Sequence, residues 1–261
     1  MKLIVTGSEG FIGKELVRQL VQQGHTVIGC DRKLFQEVSS IGLNQKSFKD
    51  IDGIIHLAAQ TSVFNNDVLS IEEDNIKSFI KIVEISNALS CRLIYASSSC
   101  AYNVTSMYGL SKKFNEDYAG IYANNAVGVR FHNVYGPNQR RGTLLSIATE
   151  CLKENKSVVL FNNGLNRRHF TYIDDVVRGI VKLLRSDYRG IINICNPQSN
   201  TTREFIDYLS VHMPIKYSLT NEIKKFDKEE QIVDWSIGNV DIEYTSLKAG
   251  IYKTLISNEQ R

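Results

Sequence analysis

The sequence predicts an α/β fold, a doubly wound parallel sheet with a small C-terminal lobe. Three observations predict it. Short apolar runs alternate with runs of helical spacing along the chain. A glycine-rich turn joins the first apolar run to the first helical one. A later apolar run ends in Ser97, Ser98 and Ser99, at the kind of strand end where open parallel sheets bind ligands.

The elements follow in order. Lys2–Thr6 is a short apolar strand that runs into Gly7. Residues 11–23 have helical spacing through Phe11, Ile12, Leu16, Leu20 and Val21, and Gly24 stops the helix from its C-terminal position. Thr26–Cys30 is a second buried strand, and residues 53–59 and 92–97 are two more, with a helix at about 71–89 between them. Met107–Tyr122 has helical character and Ala126–Phe131 is a further strand. Residues 146–154 and 173–185 read as helices, 191–194 as a strand and Thr202–Ser210 as a late helix. Pro137 and Pro197 fall just after strands, in loop positions, and residues 221–230 form a charge-rich surface segment. Residues 1–165 are expected to form mainly the dinucleotide-binding domain, with 171–195 returning to it, and 196–261 mainly the small substrate-binding lobe.

Bulk composition excludes several classes. The 261 residues are 43% hydrophobic and 23% charged, which is ordinary for a globular chain. A net charge of +3 implies no nucleic-acid partner, and the pairs Lys112-Lys113 and Arg140-Arg141 read as solvated surface. Cys30, Cys91, Cys100, Cys151 and Cys195 form no CxxC pair and no metal-ligand spacing, so no metal is expected and a reducing cytoplasm is the simplest location. No signal peptide is read at residues 1–7, and no apolar run is long enough to span a membrane.

Gly7-Ser8-Glu9-Gly10-Phe11-Ile12-Gly13 is a phosphate turn in its proper context, after a strand and opening a helix. Gly7 permits the tight turn, Gly10 lets backbone approach a pyrophosphate, and Gly13 lets the helix pack on the strand. The free N–H groups of the first helical turn, at Phe11 and Ile12, then face the phosphates with the positive end of the helix dipole. Asp31 closes the second strand, where a carboxylate accepts hydrogen bonds from the adenosine ribose and repels a 2′-phosphate. The expected cofactor is therefore NAD. Arg32 beside it leaves NADP open, since a guanidinium binds that phosphate.

Tyr108 and Lys112 stand four residues apart and share one helix face. A free phenol titrates at about 10, and a neighbouring ammonium favours its phenolate. Tyr108 can then exchange a proton with a substrate hydroxyl while hydride moves to or from the cofactor. One serine of Ser97–Ser99 can orient the reacting oxygen; the bland alternative is a serine-rich cap for the next helix.

Taken together, TGSEGFIG at 6–13, HLAAQ at 56–60, Asn75, SSS at 97–99, YGLSK at 108–112, RFHNVYGP at 130–137 and RRHFTYIDDVV at 167–177 resemble the extended short-chain dehydrogenases/reductases, specifically the NAD-dependent epimerase/dehydratase group. Weaker matches at 193–205 and 245–255 carry the resemblance over nearly the whole chain. It implies a Rossmann-type fold, a nucleotide-sugar substrate and a place in polysaccharide biosynthesis. It also implies a homodimer built through the helix of Tyr108 and the helix of Asn75. Tyr108 would be the acid/base, Lys112 its partner on the nicotinamide ribose, and Ser98 the catalytic hydroxyl. Leu57, Ala58, Ala59, Gln60, Asn75, Ser97 and Phe131 would join the glycine turn, Asp31 and Arg32 around the dinucleotide. Ser98, Ser99, Asn133 and Arg168 would hold the substrate, the last two at its diphosphate.

The departures from the family pattern carry information. Ser99 and Cys100 stand where the family's dehydratases carry an acidic pair, which argues against a 4,6-dehydratase. The span from Tyr102 to Tyr108 and the segment 33–50 are short, and His169 replaces the usual aspartate. The reading that results is an NAD-dependent epimerase resembling UDP-glucose 4-epimerase. An NAD(P)H-dependent reductase of 4-keto-sugar nucleotides is the alternative, and a non-catalytic dinucleotide-binding protein the third. His56 and His132 are expected to be packed rather than metal-binding, Trp235 to bury an edge of the small lobe, and Cys100 not to act as a nucleophile.

Overall fold

Near-continuous burial of Lys2–Thr6 marks β1 as a strand covered on both faces. The computed structural model describes residues 1–32, 49–65, 67–223 and 229–259. From β1 the chain continues through α1 (Phe11–Gln22), β2 (Thr26–Cys30) and β3 (Gly53–His56). A broken helix follows, as α2 (Val68–Ile71), a π-helical turn (Glu72–Lys77) and α3 (Ser78–Ala88). Then come β4 (Arg92–Ser98), α4 (Met107–Tyr122) and β5 (Ala126–Phe131). Beyond β5 lie α5 (Leu144–Lys153), β6 (Val158–Leu160), β7 (Arg167–Arg168), α6 (Ile173–Leu184) and β8 (Gly190–Ile194). The last elements are β9 (Asn200–Thr201), α7 (Thr202–Ser210), β10 (Tyr217–Leu219) and α8 (Leu247–Glu259).

Six strands form an all-parallel sheet in the order β2-β1-β3-β4-β5-β8. The order reverses between β1 and β3, and the carboxyl ends of strands at such a switch point open the crevice where ligands bind. On one face, Ile4, Ile54, Leu93 and Tyr95 pack with Phe79, Ile82 and Val83 of α3 and Ala119 of α4. The Phe79 and Tyr95 rings lie 4.8 Å apart. Helix starts are specified locally. Ser106 caps α4 by accepting the Gly109 N–H at 3.1 Å, and Thr201 and Glu204 form a reciprocal capping box on α7.

The chain divides into two units. The first comprises Met1–Phe131, Val176–Ile194 and Asp234–Asp241. The second comprises His132–Asp175, Cys195–Val233 and Ile242–Arg261. In the second, Tyr135, Phe170 and Phe205 form an aromatic cluster, with Phe170 and Phe205 at 4.7 Å. Asp175 accepts both the N–H and the hydroxyl of Thr245, at 2.8 and 2.7 Å.

The polypeptide leaves the sheet after β5, and residues 132–165 fall in the second unit, which has short pairings of its own, β6 with β10 and β7 with β9. Several sequence expectations are corrected here. Trp235 belongs to the first unit and is 46% exposed; its segment returns to the parallel sheet through a bridge between Asn193 and Asn239. The strand expected to reach 59 ends at His56, because the Ala58 N–H turns onto the Thr6 hydroxyl at 3.3 Å. The helix expected from 71 starts at Val68 and carries a π-helical turn around Asn75. The short strands and α8 have too little periodicity to be read from sequence. The segment 33–48 and residues 224–228 lie outside the described residues.

Gly128 faces Tyr95 across the β4–β5 pair, and a Cβ there would sit 2.5 Å from the Tyr95 ring and 2.8 Å from Ile191. Tyr95 is fully enclosed, so the ring cannot yield. We expect Gly128→Ala to destabilise the protein by about 1–3 kcal/mol, read as a fall in Tm of roughly 2–4 °C per kcal/mol in thermal unfolding.

Candidate active site

The glycine turn adopts the geometry its sequence requires. Gly7 has φ +68°, donates its N–H to Cys30 O at 2.8 Å and packs so closely that a Cβ would lie 2.8 Å from Ala58 N. Gly10 donates to Gly7 O at 2.9 Å and precedes α1. At Gly13 a Cβ would fall 2.0 Å from Gly7 O, so the helix meets the strand backbone directly. The N–H groups of Phe11, Ile12 and Gly13, in the first turn of α1, have no acceptor within the helix. The Ser8 hydroxyl is buried without a hydrogen-bond partner. An orphaned hydroxyl beside orphaned amides and a backbone cradle free of Cβ fits a pyrophosphate.

Beside the turn, Asp31 accepts the Glu9 N–H at 3.0 Å. Arg32 pairs with Asp74 through both terminal nitrogens, one of them at 3.0 Å. Asp74 also accepts from Gln60 Nε2 at 2.9 Å. Asn75, buried in the π-helical turn, accepts the Gln60 N–H at 2.7 Å and donates to Gln60 O at 3.0 Å and to the Ser111 hydroxyl at 2.9 Å. It thereby joins the loop carrying Leu57, Ala58 and Ala59 to α4. A π turn at a functional helix position is a recurrent device, here aiming an amide side chain at a loop.

The Tyr108-Lys112 pair lies on α4. Lys112 is buried, donates to Ala96 O at 2.9 Å and stands 5.9 Å from the Tyr108 ring centre. Burial lowers its pKa to about 8. His56, bonded to the Thr6 hydroxyl at 2.8 Å, is pushed down to about 3 by burial first and the Lys112 charge second, so its ring is neutral. The first turn of α4 packs against the turn Ser99–Ala101: a Cβ on Gly109 would lie 2.8 Å from Cys100 O. Ser98 accepts the Cys100 N–H at 3.2 Å, so it caps that turn, and it pairs in register with Phe131.

Ser97 is committed elsewhere. Its hydroxyl donates to Glu116 Oε1 at 2.5 Å, leaving its backbone for any contact with a cofactor. Glu116 also receives Arg130 Nε at 2.8 Å and Nη2 at 2.7 Å, and Arg130 Nη1 lies 3.3 Å from Asp234. Sequence reading missed this network, although Glu116 follows Lys112 by one helical turn on the same face.

In the second unit, Asn133 has φ +33° and donates to Gln231 Oε1, which also accepts the His169 N–H at 3.2 Å. Arg168 donates to Arg167 O at 2.6 Å. His169 Nδ1 is bonded to Asn196 O at 2.7 Å, and burial lowers its pKa. Among the described residues no three His, Cys, Asp or Glu side chains are placed to hold a metal.

Residues 3–195 match the model of the NAD dependent epimerase/dehydratase family. The chain belongs to that family. It is an enzyme of the extended short-chain dehydrogenase/reductase type, and NAD is its cofactor. Protein CapI of Staphylococcus aureus is 30% identical over 235 residues, 71% of this chain and 70% of that protein. UDP-glucuronate 4-epimerase 4 of Arabidopsis thaliana is 29% identical over 233 residues, 70% of this chain and 53% of that protein. The structure of MoeE5 in complex with UDP-glucuronic acid and NAD superposes with a TM-score of 0.86 at 22% identity, over 100% of this chain and 99% of that one, which shows the shared fold. Among the described residues no helix is long and apolar enough to cross a membrane.

Helix α4, which carries Tyr108 and Lys112, is anchored by the Ser97–Glu116–Arg130 network. Glu116→Gln leaves a buried guanidinium with Asp234 as its remaining charged partner. We expect a loss of about 3 kcal/mol, since breaking one side of a buried pair is strongly destabilising. Denaturant unfolding at neutral pH measures it.

Proposed function

We propose that this enzyme is an NAD-dependent nucleotide-sugar epimerase, of the kind that inverts a hydroxyl-bearing sugar carbon such as C4. The observation that carries the reading is Tyr108 held against the buried Lys112 ammonium on a helix packed on the Ser98 turn. The relatedness to a UDP-glucuronate 4-epimerase supports the substrate class.

Bound NAD would supply the acceptor, and in reduced form the donor, of a hydride at the sugar carbon. The glycine turn holds the pyrophosphate through the first-turn amides of α1, and Asp31 accepts from the adenosine ribose. Tyr108, as phenolate, removes the proton of the sugar hydroxyl, and Lys112 stabilises the phenolate charge. Ser98 hydrogen-bonds the same oxygen as it becomes a carbonyl. After the keto sugar has turned over, Tyr108 gives the proton back. Asn133 and Arg168, in the second unit, are the groups assigned to the substrate diphosphate, with Arg168 offering a planar fork to its oxygens. Ser99 lies at the turn beside Ser98 and would face the sugar. The reductase alternative draws on Arg32 as a 2′-phosphate ligand and on the short span from Tyr102 to Tyr108; of these, the Arg32 guanidinium is paired with Asp74.

A second copy of the chain is the proposed partner along α4 and α2. Leu110, Phe114, Ile121 and Tyr122 on α4, with Val68 and Leu69 on α2, are exposed apolar side chains of one unit. Among the described residues the cysteines form no disulfide, which suits a reducing cytoplasm, and nucleotide sugars of this class feed polysaccharide biosynthesis.

Incubating the purified enzyme with UDP-glucuronate or UDP-glucose and following the C4 epimer by proton NMR tests the function. Interconversion without net change in NAD is expected, and Tyr108→Phe should lower kcat by about a thousandfold while dinucleotide binding persists. If no nucleotide-sugar epimers interconvert, the epimerase reading is wrong. Because Lys112 holds its proton below pH 8 and loses it above, kcat should fall on the alkaline side with a midpoint near 8. Replacing Leu110 and Phe114 together by Glu should convert the dimer to monomer in sedimentation equilibrium.

A further inference from the structure

Arg32 immediately follows Asp31 at the carboxyl end of β2, where the adenosine ribose of a dinucleotide lies in this fold. A guanidinium there is the group that distinguishes a 2′-phosphate from a free hydroxyl, because its fork matches phosphate oxygens. In this chain the fork is already matched. Nη1 donates to Asp74 Oδ2 at 3.0 Å and Nη2 to Asp74 Oδ1. The Asp74 carboxylate is well enclosed, whereas the Arg32 side chain is 60% exposed, so the cation is drawn to a fixed anion. Asp74 is fixed from two sides: its Oδ2 accepts Gln60 Nε2 at 2.9 Å, and its neighbour Asn75 is bonded to the Gln60 backbone and to Ser111.

Resting on the assignment of this end of the sheet to NAD, we propose that Asp74 is a cofactor-specificity residue, which withholds Arg32 from a 2′-phosphate and so favours NAD over NADP. A dinucleotide with a free 2′-hydroxyl needs only Asp31 and leaves the Arg32–Asp74 pair intact. A 2′-phosphate must compete for a guanidinium whose two terminal nitrogens each already donate to the Asp74 carboxylate, while approaching the negative charges of Asp31 and Asp74. Exposed ion pairs are generally weak, but bidentate geometry on an enclosed carboxylate is the case in which they hold. The effect is therefore expected to be moderate, about tenfold in the affinity ratio. Asp74 is a carboxylate on a helix 42 residues from its partner in sequence, and only the fold brings the two together.

The experiment uses fluorescence titration of the full chain with NADH and with NADPH, giving both dissociation constants. Asp74→Asn keeps an acceptor for Gln60 while removing the charge. It should lower the ratio Kd(NADPH)/Kd(NADH) about tenfold, and adding Arg32→Met to that variant should return the ratio towards the starting value. An unchanged ratio in Asp74→Asn, with both dinucleotides still binding, overturns the inference and leaves the NAD site standing. A lowered ratio that persists without Arg32 also overturns it, because the gain would then come from lost repulsion alone. Failure of the unaltered chain to bind either dinucleotide overturns the site assignment itself, and the inference with it.

Discussion

The ammonium of Lys112 is carried into the protein interior and finds one backbone acceptor, Ala96 O, at the end of β4. Burying a cation is costly unless it is hydrogen-bonded, and the depressed pKa records that cost. The arrangement around it follows from the need to keep that charge in place beside Tyr108. Helix α4 must hold its register against β4, and its first turn must press on the turn that Ser98 caps. His56 must stay neutral, since a second cation within the same core would repel the first.

Two sets of side chains maintain that register. On the sheet side, Ser97, Glu116 and Arg130 tie β4, α4 and β5 together in a buried network in which each charge has a partner. On the opposite side, Asn75 links α4 through Ser111 to the loop at Gln60, and that loop abuts the Gly7 turn through the Thr6 hydroxyl. The glycine turn and helix α4, with Tyr108 and Lys112, are thus parts of one hydrogen-bonded framework within the first unit. The π-helical turn belongs to this framework: its irregular backbone presents Asn75 to both Gln60 and Ser111.

The same framework extends to the end of β2. The side chain of Gln60 and the carboxylate of Asp74 meet next to Asn75, so the residues that brace α4 also fix the anion that engages Arg32.

Much of this was determined by the sequence itself. Strong apolar runs and the glycine spacing specified the parallel strands, α1 and the phosphate turn, because those features act over a few residues. The four-residue spacing of Tyr108 and Lys112 likewise put both on one face of α4. Tertiary structure alone decided what depends on groups far apart in the chain. It ended β3 early by turning Ala58 onto Thr6, sent 132–165 into the second unit, and returned Trp235 to the first. It committed Ser97 to Glu116 and Arg32 to Asp74. A hydroxyl or guanidinium in a sequence carries the capacity for several partners, and only packing selects one of them.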